Sequence, residues 1–204
     1  MRKPENIIPI ILAAGSSPAL PFPKALASFG KKTALQLAVE NCSILGPTVV
    51  VLGADVDQIA RHVPPAAQIV FNRSWRNGQL SSLQAALQTI NEDAAFLIYP
   101  LDLPLLQQQT LQQLVSAFRT SSTLQEIVMP RHQGAYGHPV IVSPAIRPEF
   151  FSAVTAREVI YRFPERIRVL NVRTPSIFED FHDVESYEEC LRKFRTRTAK
   201  QRLS

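Results

Sequence analysis

Cysteine is scarce in this 204-residue chain. Cys42 and Cys190 stand far apart and without metal-binding spacing, which excludes a disulfide-stapled scaffold or a zinc ribbon. Two reduced thiols of a cytoplasmic protein are expected instead. Long hydrophobic runs are also missing, so no membrane-spanning helix and no membrane partner are expected. One segment imitates a secretory leader: Met1-Arg2-Lys3 followed by the apolar residues 7–14. Pro9 interrupts it, and its isoleucine content suits a buried strand better. There is no internal repeat and no low-complexity stretch. There is no Walker A loop either, because neither Gly15 nor Gly30-Lys31-Lys32-Thr33 has the required neighbours. Finally, the last 13 residues, RKFRTRTAKQRLS, hold six Lys or Arg and no acid. The remainder, with 16 basic and 17 acidic residues, has a net charge of −1. The basic character therefore belongs to a tail, 192–204, expected to be a solvated end. A nucleic-acid-binding groove is not expected.

What is present is core-forming sequence, with 46% of residues apolar, enough for one full hydrophobic core. Continuous apolar runs predict strands at 7–13, 48–52, 68–71, 94–99, 127–130, 139–143 and 167–172. Helix-spaced apolar residues predict helices at 33–43, 55–62, 81–90, 107–118, 156–162 and 187–195. Alternation of buried strands with helices implies an α/β sandwich with a mostly parallel sheet, some of the later strands running antiparallel. Ligands of such sheets bind beyond the carboxyl ends of the strands. That rule selects the loops after Ala13 and Tyr99 and the turn at Gly137.

Each of these places carries chemistry. In 11-ILAAGSSPALPFPK-24 the first strand delivers Gly15, Ser16 and Ser17. This is either an anion nest with Lys24 as its counter-charge or a tight strand-to-helix turn. In 98-IYPLDLPLL-106, Asp102 follows a buried strand and is stiffened by Pro100 and Pro104. A helix starting near Gln107 leaves Asp102 poorly explained as a cap, and a carboxylate there suits Mg²⁺. In 137-GHPVIVS-143, Gly137 and Pro139 fix the backbone around His138, a candidate substrate contact. Gly78, Ser81 and Ser82 stand at a helix start, suited to a nucleotide or to ordinary capping. In 180-DFHDVESYEE-189 most acids suit a helix start, and Asp183 is a candidate second metal ligand.

In order along residues 8–191, these segments resemble the molybdenum cofactor cytidylyltransferase branch of the MobA-like nucleotidyltransferases. Leu12-Ala13-Ala14-Gly15, Ser17 and Lys24 match a pattern like L-A-A-G-x-S-x-R-M-G-x-x-K. Asn72, Trp75, Gly78 and Ser81-Ser82-Leu83 match N-x-x-W-x-x-G…S-S-L. Asp102, Pro104 and Leu105 match D-x-P-L, and Gly137-His138-Pro139-Val140 matches G-[HN]-P-V. Arg157 with Ile160, followed by Pro164-Glu165-Arg166, matches a fifth segment. Asp183-Val184-Glu185-Ser186 opens the sixth. The resemblance implies a Rossmann-like, GT-A-like nucleotidyltransferase fold over 1–191, a three-layer sandwich with a basic tail beyond it. It implies transfer of a nucleotide, CMP from CTP, to a phosphorylated acceptor such as molybdopterin, with release of pyrophosphate and a molybdoenzyme as a downstream partner. Lys24 and the 12–17 loop would hold the triphosphate, and Gly78, Ser81 and Ser82 the base or ribose. Asp102 with Asp183 would hold Mg²⁺, and His138 would meet the acceptor. The chain departs from the pattern at Ala19, Leu20 and Pro21, where Arg, Met and Gly are usual, and at Glu185 and Tyr187. The triphosphate-clamping arginine is therefore absent. A degenerate binding module of the same fold, without turnover, is the alternative.

Overall fold

The computed structural model describes residues 3–203, with side-chain environments through residue 199. The chain begins with β1 (Ile7–Ala13) and a short hairpin of β2 (Ser28–Phe29) and β3 (Lys32–Thr33). Helix α1 (Ala34–Cys42), β4 (Thr48–Leu52), α2 (Val56–Ile59) and β5 (Ala67–Phe71) follow. Next come α3 (Gln79–Leu87), β6 (Ala95–Pro100), α4 (Gln108–Arg119), β7 (Ile127–His132), β8 (Ala135–Tyr136) and β9 (Val140–Val142). The chain closes with α5 (Glu149–Ser152), α6 (Ala156–Tyr161), β10 (Ile167–Asn171) and α7 (Val184–Leu203).

The main sheet has the order β10-β7-β9-β6-β1-β4-β5, with β8 paired to β7. Strand β1 lies at the centre, parallel to β4 in the register Ile11↔Val50 and to β6 in the register Ile11↔Tyr99. Strand β9 runs antiparallel to both β6 and β7, which makes the sheet mixed. The hydrophobic alternation of β1 serves two faces. Ile7, Ile11 and Ala13 pack into a core shared with Leu35 of α1 and with Leu111, Leu114 and Phe118 of α4. Ile10 and Ala14 pack into a second core with Leu83, Ala86 and Leu87 of α3, Phe150 of α5 and Val159 of α6. Helices thus cover both faces, and the result is the expected three-layer α/β sandwich.

Local signals set the helix ends. At α1, Thr33 and Gln36 form a reciprocal capping box: the Gln36 N–H donates to Thr33 Oγ1, and the Thr33 N–H donates to Gln36 Oε1. The β2–β3 hairpin was not foreseen, being only two residues long on each side. It covers a third, small core in which Phe29 meets Phe181, Tyr187 and Phe194 edge to face.

The last helix corrects the expected solvated end. Residues 192–203 continue α7, and Tyr187, Cys190, Leu191 and Phe194 line one stripe of it against this third core. Arg197 donates from its guanidinium to the Leu105 carbonyl and lies over the Phe194 ring. The inner part of the basic segment is therefore packed. Cys42 and Cys190 are buried free thiols, and burial raises the pKa of each.

Candidate functional site

The loop leaving β1 turns at residues 14–17 and is tied back on itself. Ser17 Oγ accepts from the Lys24 N–H at 3.2 Å, and the Ser17 carbonyl accepts from the Leu20 N–H at 3.0 Å. These bonds bring Lys24, at the start of a single 3₁₀ turn, back over the sheet beside the end of β6. There its Nζ meets Asp102 Oδ2 at 2.8 Å, with the side chains 21% and 23% exposed. The ammonium also stands 5.8 Å from the centre of the Phe181 ring. Residues 78 positions apart in sequence thus form an ion pair at the head of the sheet.

That pair borders a cavity of about 360 Å³, lined by residues 12–17, by Lys24 and Asp102, and by Trp75, Arg76, Gly78, Gln79 and Ser82. A Cβ on Gly15 would meet no protein atom within 4 Å, so the Gly15 backbone faces open space. Trp75 reaches the cavity because Gly53, after β4, has no side chain: a Cβ there would stand 2.6 Å from that of Trp75. Asn72 fixes the same loop from below. Its amide donates to Ser81 Oγ and Ser82 Oγ at 2.9 and 3.0 Å, and its Oδ1 accepts from the Ser74 N–H.

A smaller cavity of about 270 Å³ adjoins the first and shares Gln79, Pro100 and Asp102 with it. Tyr136, Gly137, His138, Ile177, Phe178 and Asp180 form its other walls. Burial lowers the pKa of the half-buried His138 imidazole, against the opposite pull of Asp102 and Asp180, so its neutral form is favoured. Gly137 has no room for a side chain, since a Cβ would stand 2.4 Å from the Ile177 carbonyl oxygen. That same oxygen accepts the His138 N–H at 2.8 Å.

Two loops thus bring a lysine–carboxylate pair to the larger cavity, and its carboxylate, Asp102, borders the smaller one as well. Residues 9–166 match the model of the MobA-like NTP transferase domain. The chain belongs to this family. Solved structures with the same nucleotidyltransferase fold agree. An Rv0371c homologue from Mycobacterium sp. strain JC1 superposes with TM-score 0.79 at 21% identity, covering 93% of this chain and 97% of that one. Rv0371c of Mycobacterium tuberculosis H37Rv, in complex with manganese, gives 0.74 at 18%, covering 92% and 98%. Molybdopterin-guanine dinucleotide biosynthesis protein A from Archaeoglobus fulgidus gives 0.69 at 12%, covering 93% of this chain and 99% of that one. At these identities the likeness is one of fold. No curated protein matches the sequence.

Within this MobA-like domain, Lys24, Asp102, the 12–17 loop, Gly78 and Ser82 converge on one cavity, and His138 faces the adjoining one. Ser81 and Asp183 lie elsewhere. The Ser81 hydroxyl faces the carbonyls of Ser74 and Gly78 and closes the loop rather than lining the cavity. Asp183 caps α7: its Oδ1 accepts the Ser186 N–H at 2.8 Å, and the Ser186 hydroxyl accepts the Asp183 N–H at 3.1 Å. These hydrogen bonds lower the Asp183 pKa, and its surroundings are Glu185, Glu188, Glu189 and Arg192. The acid that shares a cavity with Asp102 is Asp180. Arg76 was also missed. Its guanidinium lies 4.5 Å from the Trp75 ring centre, lines the larger cavity and pairs with no carboxylate among the described residues. Its only sequence signal is its place between Trp75 and Gly78.

Proposed function

We propose that this chain is a metal-dependent nucleotidyltransferase that moves CMP from CTP to a phosphorylated acceptor such as molybdopterin, releasing pyrophosphate. The observation that carries this reading is the junction of the two cavities at Asp102, with Lys24 paired to it. The larger cavity suits the nucleotide. Backbone N–H groups of the 14–17 loop and the Lys24 ammonium face the triphosphate, while Trp75, Gly78 and Ser82 border the nucleoside side. The acceptor enters from the smaller cavity. Its terminal phosphate oxygen attacks the α-phosphorus, a new O–P bond forms, the bond between the α-phosphorus and the bridging oxygen breaks, and pyrophosphate leaves. No protein nucleophile is required, so the side chains position the reactants and balance charge.

The residues present fit a divalent ion. Asp102 offers a hard oxygen ligand, and its Oδ1 makes no hydrogen bond among the described residues. Mg²⁺ commonly takes only one or two carboxylates and completes its sphere with phosphates and water. Such an ion, held by Asp102, would neutralise triphosphate charge. Among the described residues no group of three or more His, Cys, Asp or Glu forms a metal cluster. Asp102 is therefore the ligand proposed here, and Asp183 is assigned to capping.

A second reading is favoured by one feature. Ala19 is exposed and lies outside the cavity lining, in a segment where Pro18, Pro21 and Pro23 remove N–H donors. A chain that binds nucleotide without turnover would show this loop. Pyrophosphate release, measured with each NTP with and without Mg²⁺ and molybdopterin, separates the two. Release with CTP and acceptor supports transfer. Binding of CTP without release under any combination supports the binding module, and neither binding nor release overturns both.

A further inference from the structure

The main sheet ends in two unlike edges. Strand β10 closes one of them, with Arg166 directly before it and Arg168 within it. Charged side chains at an edge discourage pairing with another chain. Strand β5 closes the other edge, and its residues, Ala67-Gln68-Ile69-Val70-Phe71, include no charge and no proline.

The outer side of β5 carries unused hydrogen-bonding groups. Along a strand, alternate residues turn their N–H and C=O toward opposite neighbours. The Asn72 N–H donates to the Leu52 carbonyl of β4. Gln68 and Val70 therefore face β4 as well, while Ala67, Ile69 and Phe71 face outward. Among the described residues, the Ile69 and Phe71 N–H groups donate to no loop carbonyl. The hydrophobic core also runs out to this edge. Val56, Ala60, Val63, Ala67 and Ile69 pack against the core shared with α1 and α4 and are only partly buried. Phe71 falls on the same face as Ile69 by strand alternation and is 60% exposed.

These features fit a second copy of the same strand. Antiparallel pairing on a two-fold axis at Ile69 sets Ile69 opposite its own copy and each Phe71 opposite the other copy's Ala67. All three outward positions then fall at hydrogen-bonded pairs. The Ile69 N–H donates across the axis to the Ile69 carbonyl, and the Phe71 N–H to the Ala67 carbonyl. The Ala67 N–H is already committed to the Pro64 carbonyl. A large ring thus covers a small side chain, the same core face continues across the axis, and no like charges oppose each other within the pair.

We propose that the chain forms a symmetric dimer in which two β5 strands pair antiparallel about Ile69 and join the two main sheets into one. Strand β5 runs directly into Asn72, whose amide seats Ser81 and Ser82, so the junction stands beside the loop that walls the larger cavity. The proposal does not rest on the nucleotidyl-transfer reading.

Analytical ultracentrifugation of the full chain, from low to high micromolar concentration, should show a reversible monomer–dimer equilibrium. Phe71→Lys should weaken association by about 10-fold or more, because symmetry removes two cross-strand pairs at once and charges the edge. Its melting temperature, read where the wild type is monomeric, should match the wild type, since the side chain is exposed. Cysteine substitution reads the register. In Ile69→Cys the two Cα atoms stand about 5.5 Å apart, within disulfide reach. In Gln68→Cys each cysteine stands opposite Val70 of the other copy instead. Mild oxidation should crosslink the first variant and spare the second, and the native Cys42 and Cys190 are buried. A wild type that stays monomeric at the highest concentration, or that associates beyond the dimer, overturns the proposal. So does a dimer that Phe71→Lys leaves unchanged, or one that crosslinks at Gln68→Cys as readily as at Ile69→Cys, or at neither.

Discussion

Lys24 and Asp102 hold each other at 2.8 Å in a site where a metal and a triphosphate would each claim one of them. The ammonium stands at the carboxylate as a cation would. Lys24→Met should therefore raise the affinity for Mn²⁺ alone, as measured by titration calorimetry, while weakening CTP binding. Unchanged metal affinity would show that the pair does not compete with a divalent ion. Arg76 leads to a second expectation. With Ala19 in place of an arginine, Lys24 and Arg76 are the cations lining the larger cavity. Arg76→Ala should weaken CTP binding by about 10-fold, the scale of one charge-assisted contact. If affinity stays level, the guanidinium only stacks on Trp75. His138 gives a pH signature. Burial holds its pKa below the ordinary 6.5, so between that lower value and 6.5 the unfolded chain binds more protons than the folded one. Its contribution to stability is complete above 6.5 and is lost as pH falls toward and through the folded value. His138→Gln should flatten the fall in melting temperature between about pH 7 and pH 5. An unchanged slope would assign it to other groups.

At the scale of elements, the last helix shows what a charge count hides. Tyr187, Cys190, Leu191 and Phe194 recur at helical spacing, and that stripe packs under the β2–β3 hairpin. Ending the chain after Leu191 removes Phe194 and the Arg197 contact to Leu105, and should destabilise the fold by about 2 kcal/mol or more, as removal of a large aromatic contact does. Chemical denaturation measures this, and a loss near zero would return the segment to a solvated role. The sheet strands and the three loops that line the two cavities were legible because continuous apolar runs end in Gly, Pro and Asp at the carboxyl side. Short elements such as β2, β3 and α5 were not, since two to four residues carry no period. The functional miss among the acids has a physical origin. Glu179, Asp180 and Asp183 look alike in sequence, and only the turn into α7 decides that Asp183 faces Ser186 while Asp180 faces the cavity. Arg76 was hidden in a similar way, because Gly53 and Asn72, which seat its loop, come from other segments.

For the molecule as a whole, the Lys24–Asp102 pair predicts that nucleotide and metal binding are interdependent. Metal arriving alone must displace Lys24 from Asp102 and leaves an ammonium without its partner. Triphosphate arriving alone draws Lys24 away and leaves a carboxylate exposed to phosphate charge. When both arrive, each stranded group gains a partner, so each ligand should strengthen binding of the other by the same factor. Thermal denaturation reads this directly. At 100 times its dissociation constant, one ligand stabilises the native state by about 2.7 kcal/mol, roughly 5–10 °C for a chain of this size. Mg²⁺ and CTP together should raise the melting temperature by more than the sum of their separate effects at the same concentrations. In Lys24→Met the excess should shrink, because metal no longer has to break a pair. Simple additivity in the wild type would mean that the Lys24–Asp102 pair survives ligand binding, and that the two cavities are filled independently.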